Sequence, residues 1–329
     1  MSFGYIGTAG KTQTQISNSG VFSLDEVQDL KDDFTYAGQG LLCDFLVVAG
    51  GAGGGAGHQN GGAGGGGGMR SSVDNKGGRT SGTVENKYLL YHNKTYKVKV
   101  GSGSGAGRSS AGQSRLGKIV SIGGGGGYSG SSQSGYGGNA GGAGGSGPLE
   151  DHYSFSDFRT EYNDSDTNPD YPFTEDEFYF QGYDANAKGG GGAGGDNSSN
   201  TGAAGAYSNI LPSGSASGYV GEVSSSNVYY SGGGGEGAAS WGQNSNSNSF
   251  NYGGLGGGGN ASQNGSANTG GGGGSGYVGG NGGSGVVILS YDDSHPDITT
   301  IGGGLTYTKV ETGGKKIYTF TAGSDIITI

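Results

Sequence analysis

Asp44-Phe-Leu-Val-Val-Ala-Gly-Gly-Ala-Gly-Gly-Gly-Ala-Gly57 passes from a β-prone run into glycine without a break. Phe45 to Val48 are aromatic and branched side chains that suit a pleated, half-buried surface. The tract that follows, residues 50–68, is glycine at 13 of 19 positions. The same join recurs along the chain. Tyr96-Lys-Val-Lys-Val100 opens into GSGSGAG, Lys118-Ile-Val-Ser-Ile122 opens into residues 123–127, and residues 270–285 close the other way into Val286-Val-Ile-Leu289. Further tracts lie at 189–195, 232–235 and 256–259. They share no fixed period, which excludes a solenoid of countable repeats.

Of 329 residues, 84 are glycine and only 5 are proline, and the glycines come in runs, which excludes a collagen triple helix. Leu, Ile, Val and Phe total 52, about 16%, too few for an ordinary core of this length, whereas a net charge of -10 is too mild for a typical disordered chain. Ordering the glycines costs backbone entropy with no side chain buried in return. Ordered tracts must therefore satisfy one another's N–H and C=O groups, and without Cβ atoms they can approach on all sides. The expected fold is mostly irregular and β: a sandwich of polyglycine II helices, flanked by short β-strands, with one short N-terminal helix and a small C-terminal β module.

Three regions follow. Residues 1–40 read as an arm and a short helix, because Ser23 and Glu26 form a capping box, Phe22 can staple onto Val27, and Leu24, Val27 and Leu30 recur at threes. Residues 41–291 form the glycine-rich domain, and 297–329 the C-terminal module after His295-Pro296. In that module 306–310, the turn 311–314 and 315–320 read as a β-hairpin, with 326–329 as a further strand. Between tracts the chain turns to Ser, Asn and Tyr, as in 218–230 and 240–252, and these interruptions are expected to be surface loops at the tract ends.

Residues 148–184 stand apart. They carry eleven acidic residues against Arg159 alone, together with ten aromatics, a combination suited to a binding surface. Within them, Asp164, Asp166, Asn168, Asp170 and Glu175 occupy positions 1, 3, 5, 7 and 12 of a calcium-loop pattern, with Pro169 where the turn glycine belongs. Calcium is thus the one candidate cofactor, against the alternative of a coincidental acid cluster.

Other chemistry is poorly represented. The single cysteine, Cys43, cannot form an intrachain disulfide and reads as a small buried hydrophobe. No apolar run approaches the ~18 residues of a membrane span, and no signal pattern opens the chain, which reads as soluble and cytosolically made. The acidic balance argues against nucleic acid. Gly112 to Lys118 has phosphate-loop spacing, but Ile119 stands where a magnesium-binding Ser or Thr is required. His58, His92, His152 and His295 show no ligand spacing. No enzyme is expected.

The Phe45-Leu-Val-Val-Ala-Gly50 opening with its Met69-Arg70 exit, the Lys97-Val-Lys-Val-Gly-Ser-Gly segment, Ser121-Ile-Gly-Gly-Gly-Gly-Gly and the closing Gly282-Gly-Ser-Gly-Val-Val-Ile-Leu-Ser-Tyr291 together resemble the glycine-rich tail-fibre and adhesin proteins of tailed bacteriophages. The resemblance covers about residues 41–291 and implies a receptor-binding virion protein whose polyglycine II core carries aromatic contact loops. Those loops would present Tyr153, Phe155, Phe158, Tyr162, Tyr171, Phe173, Tyr179, Tyr219, Tyr229, Tyr230, Trp241, Phe250 and Tyr252. It carries over no catalytic residue, and the acidic insertion has no counterpart in it. The implied partners are other virion proteins, through the N-terminal segment, and a bacterial surface glycan or outer-membrane protein, with a homo-oligomer as a further option. The alternative is a purely structural virion component such as a capsid decoration, neck fibre or connector.

Overall fold

The computed structural model describes the backbone of residues 12–14 and 17–19 and, in full, residues 40–56, 61–75, 77–78, 84–107, 109–127, 189–195, 200–216, 219–237 and 251–329. Its strands are β1 (Thr12–Thr14), β2 (Ser17–Ser19), β3 (Gly40–Val48), β4 (Met69–Ser71), β5 (Tyr88–Tyr91), β6 (Thr95–Lys99), β7 (Ser114–Leu116), β8 (Ile119–Ser121), β9 (Ala206–Tyr207), β10 (Glu222–Ser224), β11 (Asn227–Tyr230), β12 (Val286–Asp292), β13 (Thr300–Ile301), β14 (Leu305–Thr312) and β15 (Lys315–Thr328). One helix, α1 (Ser213–Ala216), follows Pro212.

Ten strands share one sheet with the order β4-β3-β12-β15-β6-β7-β8, to which β5, β13 and β14 add at the sides. Its two ends nearly meet: Gly68, just before β4, donates its N–H to the carbonyl of Ile122, just after β8, at 2.7 Å. The result is a nearly closed, barrel-like sheet. Burial explains its order. Phe45 and Val47 on β3, with Val287 and Leu289 on β12, face an interior shared with Tyr96, Val98, Tyr318 and Phe320. The alternate residues Leu46, Val48, Val286 and Ile288 face a second core, covered by α1 and the small sheet β10-β11-β9. An unbroken apolar run is what a strand buried on both faces requires. Arg70 on β4, opposite Val47 and so on the other face from Met69, is buried and grips Glu85 in a bidentate ion pair at 2.8 and 2.5 Å.

The expected sandwich of polyglycine II helices is overturned. The described residues are nearly all β, with one four-residue helix and a nearly closed sheet as the organising element. The reason is where apolar area sits: on strands paired across long separations, as in Val47 with Val287, whereas glycine has nothing to bury. The short N-terminal helix expected at Ser23–Leu30 lies outside the described residues; in the preceding stretch β1 and β2 pair antiparallel. The C-terminal hairpin is present as β14–β15. Residues 326–329 do not start a new strand, because β15 runs unbroken from Lys315 to Thr328. Gly323 (φ 98°) lies between its two pairings, with β12 before and with β6 after. The would-be phosphate loop is a hairpin, β7 and β8 joined by Gly117-Lys118.

Candidate functional site

The strands hand the chain to glycine in a common direction. β3 runs into residues 49–56, β6 into 100–107, β8 into 122–127 and β11 into 231–237, while 279–285 returns into β12. The tracts form a layer held by backbone hydrogen bonds between segments remote in sequence. Along residues 50–55 alone, N–H groups reach the carbonyls of Gly112, Gly283, Gly65, Gly280 and Gly62, at 2.8 to 2.9 Å. At most of the glycines the fit leaves no room for a side chain. A Cβ added at Gly64 would meet the carbonyl of Ala52, and one at Gly124 the carbonyls of Gly65 and Gly66, all closer than 3.0 Å.

The far end of this layer is where the candidate site lies. Gly107 and Gly127 donate to the carbonyls of Gly54 and Gly53, Ala56 bridges Gly276, and Ser262 donates to Ser275. Polar side chains close this end by accepting from backbone N–H groups that no tract reaches. Asn260 Oδ1 takes Gly253, Asn264 Oδ1 takes Asn281, and Asn281 Oδ1 takes Ala106, at 2.8 to 3.0 Å. Out of this capped end project Tyr277 and Val278, 62% and 64% exposed, and Tyr252, 70% exposed. These large side chains are thus exposed on a backbone that is itself well bonded.

The residues expected to contact a receptor do not all converge. Tyr252 is at the capped end. Tyr219 is also exposed but lies beside the β10–β11 hairpin, where its carbonyl accepts from Asn268 Nδ2 at 2.9 Å. Tyr229 is half-buried and meets Tyr207 edge-on at 5.8 Å. Tyr230 belongs to the interior: it is fully buried, and burial pushes its phenol pKa up. Strand alternation separates the two, sending neighbours on β11 to opposite faces. Tyr153, Phe155, Phe158, Tyr162, Tyr171, Phe173, Tyr179, Trp241 and Phe250 lie outside the described residues. So do the candidate calcium ligands Asp164, Asp166, Asn168, Asp170 and Glu175. Among the described residues, no group of three or more His, Cys, Asp or Glu side chains is placed to hold a metal. Tyr277 and Val278 were missed, although they are the one pair of large residues in the stretch 270–285, bracketed by glycine. Cys43 is buried as expected, and burial raises its thiol pKa.

The profile of the glycine-rich domain matches residues 31–292, from ahead of β3 to the last residue of β12. The chain belongs to this glycine-rich domain family. The glycine-rich domain therefore includes all the tracts and the capped end, while β13, β14 and β15 lie beyond the match even though β15 pairs with two of its strands. No curated protein and no solved structure matches the chain. Among the described residues, no helix is long and apolar enough to cross a membrane.

Proposed function

We propose that the chain is a bacteriophage virion protein that binds the host surface, with the capped end of the glycine layer as its contact face. The observation that carries this reading is the exposure of Tyr277, Val278 and Tyr252 at one end of a layer whose own cohesion is backbone to backbone. Because the layer coheres mainly backbone to backbone, the exposed Tyr252 and Val278 at its end carry little of its packing. Tyrosine offers a large rigid face and a hydroxyl, which suits both the apolar face of a sugar ring and an outer-membrane protein loop. The role is binding, not catalysis, and the N-terminal segment is assigned to docking on the particle. The sequence resemblance to tail-fibre adhesins points the same way.

Adsorption of the phage to host cells in the presence of purified protein tests the reading. Competition is expected, and Tyr277→Ala with Val278→Ala should abolish it while leaving the melting temperature within about 1 °C, since both side chains are mostly exposed. Saturating protein that leaves adsorption unchanged, together with a position on the capsid in virion images, would instead establish the structural alternative.

A further inference from the structure

Among the described residues β14 pairs with β15 alone, and none of them occupies its second edge. The turn fixes which backbone groups face that edge. Thr312 and Lys315 flank a two-residue loop, Gly313 (φ 60°) and Gly314 (φ 73°), a primed turn that suits the strand twist. The flanking pair of such a loop exchanges both backbone hydrogen bonds, and pairs alternate from there. Thr308, Val310 and Thr312 therefore bond to β15, while Tyr307, Lys309 and Glu311 aim their N–H and C=O groups outward.

An antiparallel strand arriving at this edge must present outward-facing groups to outward-facing groups. For a second copy of β14 related by a two-fold axis, that leaves few registers. Centred on Lys309, the pairing sets ammonium against ammonium; centred on Glu311, carboxylate against carboxylate; centred on Thr308, it leaves Lys309 opposite Tyr307. Centred on Val310, Lys309 faces Glu311 of the partner subunit, and the symmetry makes the same pair twice. In that register Val310 faces itself and Thr308 faces Thr312 of the partner subunit, both good cross-strand pairs. Lys309 is already extended over the Tyr318 ring, 5.8 Å from its centroid, by its own Asp297 and Glu311 at 2.6 and 2.7 Å.

We propose that β14 joins two copies of this chain edge to edge, antiparallel about Val310, so that the sheet of one continues into the sheet of the other. The interface is isologous, the commonest kind of closed assembly. β14 runs in the same direction as β12, which leaves the glycine layer at Val286. The two glycine layers therefore extend from opposite ends of the joined sheet.

Sedimentation velocity of the full chain is expected to give the mass of two chains. Lys309→Glu or Glu311→Lys alone sets like charges opposite one another and should weaken self-association by about tenfold or more, while the double exchange Lys309→Glu with Glu311→Lys restores it. Under mild oxidation Val310→Cys should form a disulfide-linked dimer and Thr308→Cys should not, with the native Cys43 too buried to compete. Matching circular dichroism confirms that each variant is folded. A single-chain mass at every attainable concentration overturns the proposal, as does a dimer indifferent to the single charge reversals or one that cross-links as readily through Thr308→Cys.

Discussion

The barrel-like sheet and the glycine layer solve the same problem in opposite ways. The sheet coheres through side chains: Phe45, Val47, Val287 and Phe320 are fully buried, and the strands bring them together. The layer coheres through peptide groups, and at most of its glycines the neighbours approach so closely that an added methyl group would collide with them. Removing atoms harms the first region, and adding them harms the second. Stability in this chain is thus set by two unlike tolerances.

Gly124→Val is expected to have the largest effect. Its side chain would collide with the backbone carbonyls of Gly65 and Gly66, which have no flexible end to yield, so the cost should exceed the ~1–3 kcal/mol typical of overpacking. A thermal melt followed by circular dichroism should show no cooperative transition, and a retained one would mean that the layer can open. Phe45→Ala comes next, at about 3–5 kcal/mol for a large side chain lost from a packed interior, measured as a shift in the urea midpoint. A much smaller loss would mean that the layer, not the sheet, holds the molecule.

Acid should separate the regions further, because the groups with shifted histidine and aspartate pKa values all lie on the sheet side. Burial, reinforced by the nearby His295 charge, holds His92 below its ordinary 6.5, and burial does the same to His295. The unfolded chain therefore takes up these protons first, so stability is full above about pH 6.5 and declines as the pH falls below it. Asp292, Asp297 and Asp325 are held below their ordinary 3.8, chiefly by hydrogen bonds from Ser294, Lys309 and the Gly304 backbone respectively. Their contribution is present above pH 3.8 and is lost as the pH falls through the lowered values. Melting temperature against pH should show both steps, and His92→Gln with His295→Gln should remove the first. The smallest effect belongs to Gly105→Ala. A Cβ there meets nothing within 4 Å, and the change should stay within about 0.5 kcal/mol. Comparison with Gly64→Ala then isolates crowding from chain entropy.

The strands beside the tracts were legible because Phe45 to Val48 and Val286 to Leu289 are long enough to carry a β signal, and the Gly313-Gly314 turn announced its hairpin. Their partners were not legible, since Val47 meets Val287 across 240 positions and nothing local encodes that. Strands of three residues, such as Ser114–Leu116, show no period, so that stretch looked more like a failed nucleotide loop. Sheer glycine content drew the fold toward helices of glycine, although the apolar area that organises the sheet sat in the short flanking runs. At the capped end Tyr252 was legible as an interruption residue. Tyr277 and Val278 were hidden by the tract around them, and Tyr230 was misjudged because its strand turns it inward.

Gly127 and Gly190 abut the same tract, at Gly62 and Gly64. Likewise Gly237 packs on Ala261, which donates to the carbonyl of Asn251. The layer thus holds residues 127 and 190, and likewise 237 and 251, by contacts among the described residues. Bridging fixed ends with a flexible loop costs only about 0.6 kcal/mol for each doubling of its length. New sequence of another length grafted between 127 and 190 is therefore expected to leave the register of β3 with β12 intact, which would make the frame a socket for exchangeable inserts.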